Sequence, residues 1–106
     1  MRCLLTLTLI GGNLLAQNAA TGRLLYTSDG CYQCHGREAQ GSSITGPRLG
    51  PRPIAFAVFE RYIRRPSGQM PPYSEKILTS QEMTDIYAFL KALPPPAAPA
   101  DIRLLR

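Results

Sequence analysis

Cys31, Cys34 and His35 stand in the run Cys31-Tyr32-Gln33-Cys34-His35, a C-x-x-C-H pattern. Two thiols three positions apart can reach the two vinyl groups of one porphyrin and form thioether bonds. The histidine that follows the second thiol is then held under the metal as an axial ligand. The pattern therefore points to one covalently attached haem c. Other chemistries also use closely set cysteines. A structural zinc site wants four Cys/His ligands, but His35 is the only histidine and Cys3 the only further cysteine. A thioredoxin-like pair wants a βαβ setting, whereas the flanks here read as helix and loop. A plain disulfide between residues so close would be strained and would leave the histidine without a role.

A chain of 106 residues carries one domain at most. Residues 1–18 read as a secretory signal peptide. Met1-Arg2 gives a basic start, Leu4 to Leu15 is mostly apolar, and Ala16-Gln17-Asn18-Ala19-Ala20 offers small residues for cleavage. The apolar stretch falls short of the ~20 residues that span a bilayer, so no stable membrane insertion is expected after cleavage. A periplasmic or otherwise exported protein is the expectation, and Cys3 leaves with the signal. Residues 19–93 remain as the domain, and residues 94–106 as a flexible, Pro-rich tail. A domain this small needs a staple beyond its own core, and covalent haem can serve as one. The formal net charge of +5 suits acidic redox partners. No basic run or aromatic-basic interleaving supports nucleic-acid binding.

The elements that must position the motif are helical. A first helix is expected from about Asn18 to Asp29, capped by Asn18 or Thr21 and broken by Gly30. Gly36 to Pro53 reads as a loop rich in Gly, Pro and Ser. Ala55, Val58, Phe59, Tyr62 and Ile63 follow the spacing of one apolar helix face, and Pro66 stops that helix. Ser67 to Leu78 is a second loop. Thr79-x-x-Glu82 is a capping box that opens a last helix, whose stripe is Met83, Ile86, Tyr87, Leu90 and Leu93. No strand pattern or repeat is present. The fold class is all-α, three main helices around one haem.

The chain resembles class I cytochrome c, the small monohaem electron-transfer proteins. The matching features are Gly22-x-x-x-Tyr26, Cys31-x-x-Cys34-His35-Gly36, Thr45-Gly46-Pro47-Arg48-Leu49, Gly68-Gln69-Met70-Pro71 and Asp85-Ile86-Tyr87-Ala88-Phe89-Leu90. They come in the family's order and cover the domain apart from the tail. The resemblance implies that the Pro47 carbonyl accepts a hydrogen bond from His35. It also implies that Gly22 and Tyr26 pack against Ile86 and Phe89 where the terminal helices cross.

With one histidine, bis-His ligation within a monomer is excluded, and thioether sulfur is the natural sixth ligand. Met83 lies on an apolar helix stripe, the usual place of a core filler. Met70 lies in a loop stiffened by Pro71 and Pro72, and the family places its ligand in such a Met-Pro loop. Met70 is therefore the expected partner of His35. Arg48, Arg52 and Arg64, with Tyr62 or Tyr73, are candidate propionate partners. His/Met ligation raises the reduction potential and closes both axial positions. The expected function is single-electron carriage between redox partner proteins rather than enzyme catalysis, by a monomer or as the haem subunit of a periplasmic oxidoreductase complex. A haem sensor with a displaceable sixth ligand is the third reading. The absence of a distal histidine or an acid–base pair speaks against peroxidase chemistry.

Overall fold

The computed structural model describes residues 17–105. Most of the segment read as a signal peptide, residues 1–16, lies outside the described residues. Among the described residues four α-helices follow one another: α1 (Ala19–Ser28), α2 (Tyr32–His35), α3 (Phe56–Arg64) and α4 (Ser80–Ala92). The described residues contain no strand, only one isolated bridge between Ser42 and Gly46. None of their helices is long and apolar enough to cross a membrane. Two short 3-10 turns, Pro99–Asp101 and Arg103–Leu105, lie in the exposed C-terminal segment.

The two terminal helices form the frame. The Asn18 side chain accepts from the Thr21 amide at 3.0 Å and caps α1. Asp85, buried on α4, accepts from the Asn18 amide at 2.9 Å, so α4 holds the start of α1. The helices cross at Gly22, where a Cβ would collide with the Asp85 carbonyl. Only glycine allows that approach. One turn later the rings of Tyr26 and Phe89 meet at 5.2 Å. The start of α4 is the full capping box: the Thr79 side chain accepts from the Glu82 amide, and the Glu82 carboxylate from the Thr79 amide.

Tyr26, Phe59, Ile63, Leu78, Met83, Ile86, Phe89, Leu90 and Leu93 make up most of the core. The buried face of α3 differs from the sequence expectation. Phe59 and Ile63 are buried, but Val58 and Tyr62 are 42% and 41% exposed. Phe56 packs inward instead. The cause is an aromatic cluster between α3 and α4: Tyr87 of α4 lies 5.2 Å from the Phe56 ring and 5.3 Å from that of Phe59. Those contacts rotate the helix toward the Phe56-Phe59-Ile63 stripe, also at helical spacing.

Candidate haem site

The C-x-x-C-H run is itself a turn of helix. Cys31 has helical dihedrals, the His35 amide donates to its carbonyl at 3.0 Å, and the Gly36 amide donates to that of Tyr32 at 2.9 Å. In helical geometry, residues three apart lie on one face, so both thiols emerge on the same side. Gly30, at φ +81°, lets the chain leave α1 and re-enter helix at once.

The turn is held from three directions. From α1, the Tyr26 hydroxyl donates to the Gly36 carbonyl at 2.7 Å. From the following loop, the Thr45 hydroxyl donates to the Cys34 carbonyl at 2.6 Å. From the other loop, the Tyr73 hydroxyl donates to the Asp29 carbonyl at 2.6 Å. Burial raises both phenols above their ordinary range, that of Tyr26 the further.

His35 is buried, and its Nδ1 lies 2.8 Å from the Pro47 carbonyl oxygen. A carbonyl only accepts, so Nδ1 carries the proton and Nε2 keeps the ring's lone pair. Pro47 is set in place by a compact turn. The Ser42 amide donates to the Gly46 carbonyl at 2.8 Å, and the Leu49 amide to that of Ala39 at 2.9 Å. Gly46 lies against the imidazole: a Cβ there would stand 3.0 Å from His35 Nδ1.

Beside this turn opens a cleft of about 870 Å³, within the ~300–1,000 Å³ range of cofactor-sized sites. Cys31, Cys34, His35, Pro47 and Met70 all line it. Met83 does not. It is fully buried in the core. Neither cysteine is paired in a disulfide. Before attachment, burial pushes the Cys31 thiol up to about 11, with the Asp29 charge adding to the shift. Among the described residues no three or more His, Cys, Asp and Glu gather as a metal cluster. A cleft with two same-side thiols, one oriented imidazole and one thioether fits a covalently attached haem.

The candidate propionate partners separate in the structure. Arg48 and Arg52 line the cleft. Arg64 does not, and its Nη1 donates to the carbonyls of Tyr73 at 3.0 Å and Leu78 at 2.6 Å. Tyr62 and Tyr73 both border the cleft, with hydroxyls engaged at Ser67 and Asp29 respectively. Sequence reasoning missed Thr45 as a support of the motif. Its place two residues before Pro47, in the turn that faces the histidine, was the available signal.

Fold and residue set together define a small helical c-type cytochrome. A family model described as cytochrome c oxidase, cbb3-type, subunit III matches residues 17–90, and the chain belongs to that family. It is a haem-binding electron-transfer cytochrome domain with covalently bound haem c. No curated protein and no solved structure matches the chain.

Proposed function

We propose that this domain is exported and relays single electrons, with His35 and Met70 as the two axial ligands of its iron. When bound, haem c supplies a one-electron couple at the metal. The chain's own residues do the rest. Cys31 and Cys34 supply the thioether sulfurs. The Pro47 carbonyl fixes the His35 tautomer and ring orientation, leaving Nε2 as the donor atom and raising its basicity. Met70 offers a soft sulfur that favours the reduced metal. With His35 and Met70 both holding the metal, oxygen and peroxide would be kept from it, which suits carriage rather than catalysis. The observation that carries this reading is the single cleft that brings together the C-x-x-C-H turn, the Pro47-bonded imidazole and Met70.

The test is the weak far-red absorption of a methionine-ligated ferric haem. Met70→Ala is expected to abolish it and Met83→Ala to keep it. The reverse outcome removes Met70 from the site. A second reading, that the domain works inside an oxidoreductase complex, is favoured by the family's description as an oxidase subunit. Isolation from its own cells distinguishes the two. A fixed stoichiometric complex supports subunit function, and a free protein supports a diffusing carrier.

A further inference from the structure

The segment between α3 and α4 carries Met70 but has no helix or strand of its own. Pro71 and Pro72 stiffen it, yet stiffness does not decide where a loop lies. Tyr73 does much of that. Its amide donates to the Ile63 carbonyl at 3.1 Å. Its hydroxyl donates to the Asp29 carbonyl at 2.6 Å. Its own carbonyl accepts from Arg64 Nη1 at 3.0 Å, and the same nitrogen donates to the Leu78 carbonyl at 2.6 Å. One guanidinium nitrogen thus pins the loop at two points, near its middle and at its end.

Arg64 is built into this role. It is the last residue of α3, where the helix dipole favours a cation. Its side chain is only 18% exposed. Its Nη2 is buried with no hydrogen-bond partner among the described residues, and the nearest carboxylate, Glu75 at 3.7 Å, is 77% exposed. The ion pair is therefore weak, and the two carbonyl bonds carry the contact. A flat guanidinium suits two fixed carbonyls in a way that a lysine ammonium does not.

We propose that Arg64 is the positioning residue of the Met70 loop: it keeps the sulfur at the iron by locking Tyr73 and Leu78 to the end of α3. The proposal rests on Met70 as the sixth ligand. Arg64 does not line the cleft, so its effect reaches the site through the loop.

The test measures imidazole binding to the ferric holoprotein. At high imidazole the rate saturates at the rate at which the methionine sulfur leaves. Arg64→Gln is expected to raise that limiting rate roughly tenfold or more, because two charge-assisted hydrogen bonds are lost. Arg64→Lys is expected to lie between Arg64→Gln and wild type, and it serves alone if Arg64→Gln does not fold. Glu75→Gln is expected to match wild type. Phe89→Leu, which loosens the α1–α4 contact, is expected to lower Tm with the limiting rate unchanged, a behaviour that separates loop positioning from general destabilisation. A wild-type rate in both Arg64 variants overturns the clamp, as does an equal rise in Phe89→Leu. Met70→Ala is the reference and must remove the saturation. If it saturates like wild type, Met70 is not the ligand and the clamp falls with that reading. If only the Arg64 variants behave as wild type, the clamp alone fails.

Discussion

The two sides of the cleft are held in different ways. The C-x-x-C-H side is a helical turn bonded to its neighbours in sequence. It leans on α1 through Tyr26 and on the adjoining loop through Thr45 and Pro47. The Met70 side is irregular chain, tied mainly by Tyr73 and Arg64. The first side rests on the α1–α4 frame and gains a covalent attachment. The second reaches that frame through the Tyr73 hydroxyl on the Asp29 carbonyl, at the end of α1. On the proposed ligation, attachment would be set by the frame, and the sixth ligand by the hold of Tyr73 and Arg64 on an irregular loop.

Substitutions can break each side separately. Gly22→Val attacks the frame. Its side chain has no room against the Asp85 carbonyl, and a loss of about 4 kcal/mol or more is expected, read by thermal or denaturant unfolding. Both sides of the cleft go with it. Cys31→Ala with Cys34→Ala removes attachment only. Haem should then be extracted under denaturing conditions, where wild type keeps it.

Met70→Ala is milder. Haem stays attached, but the reduction potential is expected to fall on the order of 0.1 V, a fraction of the ~0.8 V range that axial ligands command. Redox titration checks this. Tyr26→Phe removes one hydrogen bond to the Gly36 carbonyl and should cost about 1–2 kcal/mol. It also has a pH signature. The folded pKa of Tyr26 is raised by burial, so its contribution is complete below the unfolded phenol value of about 10 and is lost as pH rises beyond it. The alkaline decline in stability should be shallower in Tyr26→Phe. The smallest effect is expected at Glu38, whose carboxylate pairs with Arg23 on the surface, both about half exposed. Arg23 holds the Glu38 carboxyl below its usual range, so the pair's contribution fades only in acid. Glu38→Gln should leave Tm at neutral pH unchanged.

The elements legible in the sequence are those encoded by neighbours. The Asn18 cap and the Thr79-Glu82 box lie within a few residues of what they bind. The apolar stripe of α4 repeats over three turns, and Met83, Ile86, Leu90 and Leu93 are all buried. α2 was not legible as a helix, because four residues are too few to show a period. The buried face of α3 shifted because Tyr87, on another helix, chose Phe56 over Val58. Arg64 read as a candidate propionate partner, since a sequence shows its charge but not its acceptors. Those are backbone carbonyls 9 and 14 residues further along, and carbonyls leave no mark in a sequence.

We propose that Met70 and His35 share the metal. This sharing is tested most directly by the NMR spectrum of the ferrous holoprotein carrying ¹³C-methyl methionine. A methyl group bound at an iron over the porphyrin ring is moved far upfield by the ring current. One such signal is expected, present in Met83→Ala and absent in Met70→Ala. A shifted signal that vanishes with Met83 instead, or no shifted methyl at all, contradicts it.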